Sequence, residues 1–490
     1  MLLALSSPPL FAGTSALRLR LLQLAAALVA GLPLYGVLGP QPLAWLAWCA
    51  PLPLLLLALR SNRLDAAWMT LVAALLGLLS NIAYFSLLMP VPAVALVLAV
   101  KAMLWLLVVL VTRALVLRYR TGWTVLVYPV LWVALDTLMA ALLPDGNWGS
   151  LAYSQADNLP MLQVAALAGV PGLLFLLCLA PSALALWLTG GRRCAPAAVA
   201  SLLVLLLAWI GGAWRLQAMP PLSDTLAGLA VIDDFVGPAT PPARAQAVWD
   251  QYARQVEQLA GQGAALIVLP EKIAVLTPAQ AAVVQQRFRA LAQRTGAAIT
   301  LGIGIDDGGA RRNLAWLFAP DGAAPNSYQK HHLAPPEREF LPGARTQVAL
   351  VAGRAMGLAI CKDMHFASFG KLYGKAGANA EVMLVPAWDF QLDAWMGARM
   401  TQVRGVENGY AVVRAAREGL LSVSDAHGRV LAETASSPMP GRVLLAQLPA
   451  RARVTPWAPW LAPLFGWGCV AASVLLMALR WRRGQPSAGS

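Results

Sequence analysis

Eight long apolar runs punctuate the chain. Seven precede residue 220, at roughly 21–38, 43–59, 66–89, 91–112, 123–143, 162–187 and 197–215, and the last covers about 457–480. Each approaches or exceeds the ~20 residues that cross a hydrocarbon core, which predicts eight transmembrane helices. Between about 220 and 450 the pattern shortens. DTLAGLAVID, AALIVLP, AAITLGIGI, NLAWLFAP, QVALVAG, AMGLAIC, EVMLVPA, YAVVRAA and LLSVSDAHGRVLAE have the character of strands. Between them Val248, Tyr252, Val256 and Leu259, and much of 278–294, repeat at helical spacing. Asp321-Gly322 and His427-Gly428 are turn signals between strands. About 230 residues suffice to bury a separate core. The pattern therefore predicts a seven-helix membrane domain at 1–219 and an α/β domain at 220–450, its sheets sandwiched between helices. A further membrane helix and short tail follow at 451–490.

Charge adds an orientation. Arg18 and Arg20, Arg60 and Arg63, Arg113, Arg118 and Arg120, Arg192 and Arg193, and Arg480, Arg482 and Arg483 mark every second connection. The links at 39–42 and 89–92 carry none. By the positive-inside rule both termini are cytoplasmic and 220–450 lies on the opposite side, which in a bacterial inner membrane is the periplasm. The first run follows arginines as a signal peptide does, but no small-residue cleavage site succeeds it, so it is read as a retained helix. The composition, 59% hydrophobic and 12% charged, is that of a membrane protein. The net charge of +14 is scattered among the loops rather than gathered into a patch, so no nucleic-acid partner is expected.

Cysteine usage then singles out one residue. Cys49, Cys178 and Cys469 fall in apolar runs and Cys194 adjoins Arg192-Arg193, leaving Cys361 alone in the α/β domain with no disulfide partner there. It stands where the strand-like run of LAICKDMHF turns polar. A buried cysteine packs as a small hydrophobe; a nucleophilic one needs a base and a cation nearby. AALIVLPEK runs a strand into Glu271, and SYQKHHLAPPEREF carries Lys330, with Glu337 and Glu339 just past a Pro-Pro turn. His331, His332 and His365 lack zinc-type spacing, and neighbours on a strand face opposite ways, so no metal is expected. Lys101 and Asp136 lie inside apolar runs, where ionisable groups either pair or serve function.

A Glu, a Lys and a Cys in that order, the first and last each after an apolar strand, resemble the nitrilase superfamily. MTQVRGVENGYAVVRAAREGLLSVSDAHGRVLAE is similar to the tail of that superfamily, with Arg404, Glu407, Asn408 and Arg414 in matching places. NWGSLAYSQADNLPMLQVAALAGVPG, at 147–172, resembles the loop and sixth span of apolipoprotein N-acyltransferases. The resemblance implies eight spans carrying a periplasmic nitrilase-like domain with an α-β-β-α sandwich fold. It implies a phospholipid acyl donor, a diacylated apolipoprotein as acceptor, and no cofactor. Glu271 is implied as general base, Cys361 as the acyl-carrying nucleophile, and Lys330 as the cation that favours the thiolate and stabilises the oxyanion.

Some positions depart from the family pattern. Lys362-Asp363 replaces the usual Tyr-Glu after the cysteine, and both are implied to shape the acceptor side. PPEREF offers Glu337 or Glu339 as the loop glutamate, with Glu339 preferred because Phe340-Leu341-Pro342 after it resembles the family's Tyr-Val-Pro. Trp388 falls in VPAWDF, where the family has an Asn-containing stretch. Trp148 and Tyr153 read either as interfacial anchors or, by the resemblance, as residues bordering the path of the lipid. The alternative function is a membrane-tethered nitrilase-like amidase, or an acyltransferase for another amine.

Overall fold

A computed structural model describes residues 16–232, 235–237, 239–351, 353–374, 376–436, 441–451 and 455–481. Arg482, Arg483 and the tail after them lie outside the described residues. The chain divides into two units. One takes the described residues up to Leu143, then Asn147–Ala213 and the described residues from Trp460 on; the other takes Pro144–Gly146 and the described residues of Trp214–Pro459.

Among the described residues of the first unit, seven helices are long and apolar enough to cross a membrane: Ala16–Leu38, Arg63–Leu88, Val91–Tyr119, Gly122–Leu142, Val164–Arg193, Ala195–Leu216 and Ala458–Leu479. The second predicted span is different. It forms only a shorter apolar helix, Leu46–Arg60, whose regular part is the nine residues Leu52–Arg60, entered at Pro51. At ~1.5 Å per residue that part spans about 14 Å, half of a hydrocarbon core. Prolines at 40, 42, 51 and 53 explain the loss, because each removes a backbone donor. The helices on either side run parallel. Arg20, early in the first, donates to Asp65 at 2.5 Å, and Asp65 opens the helix Arg63–Leu78. Further along, a Cβ on Gly77 would sit 2.6 Å from Leu34 Cβ, so the two backbones approach closely. The chain must therefore return between them through 39–62.

The second unit holds thirteen strands among the described residues: β1 (Leu222–Val231), β2 (Ala264–Val268), β3 (Val275–Leu276), β4 (Ala298–Asp306), β5 (Arg311–Phe318), β6 (Asn326–Gln329), β7 (Val348–Val351), β8 (Arg354–Leu358), β9 (Val382–Trp388), β10 (Ala411–Arg417), β11 (Leu420–Ser424), β12 (Val430–Ala435) and β13 (Arg442–Pro449). One sheet has the order β13-β1-β2-β4-β5-β6, with β3 beside β4; the other runs β12-β11-β10-β9-β8-β7. Alternation along each strand makes two cores. Leu266 and Val268 face the other sheet and meet Leu358, Leu384 and Val413. Ile267 and Leu269, one residue out of step, pack on Val256, Leu259, Phe288 and Leu291 of the helices Pro242–Gly261 and Pro278–Thr295. The second of these helices is punctuated locally: Thr277 and Gln280 form a capping box, and Gly296 ends it at φ 69°. Helices Ala367–Tyr373 and Ala394–Asn408 belong to the same unit, which gives an α-β-β-α sandwich. Strands β3 and β13 have no counterpart in the sequence reading.

Two histidines are held neutral in this unit. Burial keeps His365 well below the usual histidine range, with the charges of Lys362 and Arg414 acting the same way. Burial, aided by Arg215, brings His427 down to about 4. The unfolded chain titrates each near 6.5, so below that pH it binds protons the folded state refuses. Stability from these residues is complete above about pH 6.5 and is lost as pH falls toward 4. The thermal midpoint of detergent-solubilised protein is expected to drop between those limits, and His427→Gln to flatten the slope. A midpoint independent of pH there would contradict the neutral assignment.

Candidate active site

Parallel strands β2, β8 and β9 end on the same side of the sandwich, and the chemistry-bearing residues follow their C-terminal ends. Glu271 comes three residues after β2, Cys361 three after β8, and Lys330 directly after β6. The backbone N–H of Glu271 donates to Ala387 O of β9 at 3.3 Å, linking one sheet to the other. Gly302 of β4 allows this turn: a Cβ there would lie 2.5 Å from Glu271 Cα and 2.7 Å from Pro270 O. Any larger residue must displace backbone.

Glu271 and Lys330 are both buried. Lys330 Nζ donates to Glu271 Oε1 at 2.7 Å and to Glu337 Oε2 at 2.7 Å. Asn313 Nδ2, from β5, reaches the same two carboxylates at 2.6 and 2.7 Å. Glu337 also accepts from the backbone N–H of Ala334 at 2.8 Å and from Lys272 Nζ. The preference for Glu339 is therefore corrected. Glu337 is 1% exposed and enters the cluster, whereas the Glu339 side chain is 73% exposed and pairs with Arg311. The cause is local: the short 3-10 turn Pro335–Glu337 rotates the first glutamate inward and leaves the second facing out.

Cys361 opens the 3-10 turn Cys361–His365 with φ 43°, a left-handed conformation that costs a non-glycine residue about 1–3 kcal/mol. It is half-buried, and its Sγ lies 3.6 Å from Trp388 O. Burial pushes the thiol well up, the Glu271 charge pushes it further, and Lys330 pulls it down without prevailing. With that balance, the Sγ proton needs a base to take it. Burial would lower Lys330, but the Glu271 and Glu337 charges outweigh it and hold the ammonium well above its ordinary range. Burial would raise Glu337; Lys330 and Lys272 hold it well below.

Asp363 and Lys362 take structural places. The fully buried Asp363 carboxylate accepts from Tyr328 Oη at 2.7 Å, from the backbone N–H groups of Ile360, His331 and His332 at 3.0, 3.1 and 2.8 Å, and contacts His332 Nδ1 at 3.2 Å. It clamps the segment after Lys330 to the one before Cys361. Lys362 Nζ donates to Asp145 at 2.6 Å and to Leu333 O at 3.1 Å. Asp363→Asn is expected to destabilise the protein by about 1–3 kcal/mol, since it leaves buried donors unmet, and to slow alkylation of Cys361. Thermal melts and the alkylation rate measure both; an unaltered rate would make the clamp irrelevant to the reactivity of Cys361.

Trp388 packs its ring against Arg417, 4.4 Å from the guanidinium, and Lys272, 5.7 Å from Nζ. Its neighbour Asp389 makes a bidentate pair with Arg414 at 2.6 and 2.9 Å, and burial pushes that carboxyl up to about 7 in spite of the guanidinium. Trp148 and Tyr153 are buried in the membrane unit, so neither is an exposed anchor. Trp148 stacks on Tyr84 with centroids 4.3 Å apart, and Tyr153 donates to Asn147 Oδ1 at 3.0 Å. Trp148 also lines, with Lys101 and Asp136, a cavity of about 80 Å³ in that unit. Among the described residues no His, Cys, Asp and Glu group is arranged to hold a metal ion. Sequence reasoning missed Lys272 and Asn313; a strand asparagine and a lysine beside a glutamate carry no signal of their own.

Two family descriptions match the chain: Apolipoprotein N-acyltransferase N-terminal domain over residues 26–183, and Carbon-nitrogen hydrolase over 235–457. The chain is similar to the apolipoprotein N-acyltransferase of Geobacter metallireducens, 27% identical over 400 residues, covering 73% of this chain and 74% of the relative. It is 29% identical over 463 residues to that of Gloeobacter violaceus, covering 82% and 84%. Among solved structures, an amidase from Nesterenkonia sp. AN1 with a covalent acetamide moiety on its active-site cysteine matches with TM-score 0.40 and 22% identity, over 49% of this chain and 95% of the amidase.

Proposed function

Because this chain belongs to the apolipoprotein N-acyltransferase family, within the nitrilase superfamily, we propose that it moves an acyl chain from a membrane phospholipid to the α-amine of a lipoprotein's N-terminal cysteine, through a thioester on Cys361. The observation that carries this reading is the buried Glu271–Lys330–Glu337 cluster beside a half-exposed cysteine held at positive φ. Glu271 takes the thiol proton as Sγ attacks the ester carbonyl. The tetrahedral oxyanion forms against the Lys330 ammonium and the backbone N–H that follows Cys361. On collapse the C–O bond breaks, Glu271 returns its proton to the departing lysophospholipid oxygen, and the acyl group stays on sulfur. The acceptor amine then attacks the thioester carbonyl while Glu271 takes its proton; the C–S bond breaks, the acyl group leaves as an amide, and that proton restores the thiol on Cys361.

The same reading keeps membrane parts at 1–219 and 451–490 around a catalytic part at 220–450. It counts Leu46–Arg60 as the eighth span and places the catalytic part in the periplasm with both termini cytoplasmic, supported by the arginine-rich links. Incubation of purified protein with acyl-labelled phospholipid is the test. A hydroxylamine-labile label on the protein, released by a diacylated lipopeptide, is expected. Absence of label together with hydrolysis of small amides would instead make this a membrane-tethered amidase.

A further inference from the structure

The carboxylates of Glu271 and Glu337 share two donors. Lys330 Nζ and Asn313 Nδ2 each touch both. Asn313 brings no charge, so one ammonium faces two buried anions. A lone cation leaves such a pair with a surplus negative charge in a poorly solvated place, and two carboxylates so held take up a shared proton. A proton there disables Glu271 as a base. The missing charge is Lys272. Its Nζ bonds Glu337 Oε1 and lies 4.0 Å from Glu271 Oε1. Its backbone is at φ 45°, another left-handed non-glycine residue, directly after the base. Phe340 and Trp388 flank the ammonium, with ring centroids 5.3 and 5.7 Å away. A cation between two aromatic rings is held without further hydrogen-bond partners.

We infer that Lys272 is a positioning residue that keeps Glu271 unprotonated by supplying the second positive charge of the cluster. The charged groups facing it are Glu271, Glu337 and Lys330 within the cluster. Arg417 lies across the Trp388 ring, and Asp389 and Arg414 act on the Cys361 thiol. Of these, Lys272 and Lys330 are the cations in contact with the two glutamates. Lys330 is 1% exposed and Lys272 15%, so Lys272 is the one whose charge solvent partly reaches. The inference deepens the proposed function and shares its assignment of Glu271, but its test does not need the acyl donor.

The test is the pH dependence of Cys361 alkylation by iodoacetamide, followed by mass spectrometry of the peptide carrying Cys361 in the full-length protein. A unit charge removed at about 4 Å, in a medium of effective dielectric about 20, moves a neighbouring titration by about two to three pH units. Lys272→Met is expected to shift the ascending limb upward by about two units and to leave the rate at high pH largely recovered. Lys272→Arg should bring the limb back. A purely structural role predicts a rate lowered equally at all pH values, with the limb unmoved and no rescue by arginine; that result overturns the inference. If Lys272→Met does not fold, Lys272→Gln, which keeps a donor near Glu337, carries the same prediction. A shifted limb in a protein that never accepts label from phospholipid would uphold Lys272 and overturn the acyl-transfer reading alone.

Discussion

Cys361→Ala is expected to abolish the hydroxylamine-labile adduct while leaving the protein folded and inserted. The side chain is small and half-buried, so its loss removes little packing. Alanine, like cysteine, bears the φ of 43° at some cost, so backbone strain is nearly unchanged. Cys361→Ser is expected to be almost as inactive. Burial and the Glu271 charge already push the thiol up, and a hydroxyl begins several units higher, beyond what one carboxylate activates. Intact-mass measurement after exposure to labelled phospholipid reads both variants. A full-strength adduct on Cys361→Ala would remove the nucleophile assignment, and the mechanism with it.

Glu337→Gln and Glu339→Gln are expected to differ by orders of magnitude, although the two residues stand only two positions apart, on either side of Arg338. Four donors converge on the Glu337 carboxylate: Lys330 Nζ, Lys272 Nζ, Asn313 Nδ2 and the Ala334 N–H. An amide in its place aims its own N–H₂ at one of those donors and leaves two ammonium groups sharing one anion. Removing one partner from a buried ion pair costs about 3–5 kcal/mol. Thioester formation should fall about 10²–10³-fold as Lys330 swings from its place opposite the oxyanion. Glu339 is largely exposed and pairs only at the surface. Such pairs contribute about 0–1 kcal/mol, so Glu339→Gln should leave rate and thermal midpoint close to the parent. Equal losses in the two variants would return the loop glutamate to an open question.

Much of the architecture was legible because it rests on periodicity. Long apolar runs leave a backbone no alternative to helix inside a bilayer. Strand alternation in segments such as AALIVLP assigns one residue to the inter-sheet core and the next to the helices. The exception among the spans, Leu46–Arg60, had enough hydropathy but too many prolines, and hydropathy does not count backbone donors. Strand β13 was missed because RVLLAQLP is half-exposed at a sheet edge and joins β1 only through pairing that spans about 220 residues of sequence.

By itself the sequence determined which residue types stand at strand ends: a glutamate after β2, a lysine after β6 and a lone cysteine after β8. Only tertiary structure decided which charges meet. Glu337 rather than Glu339, Lys272 against the Glu271–Glu337 pair, Asn313 between two carboxylates and Asp363 as a clamp each depend on groups brought from distant segments. The direction of a side chain in a loop is set by one turn, and the charge on a buried group by all its neighbours at once. Local pattern reports neither, because buried electrostatics acts across space and a pattern runs along the chain.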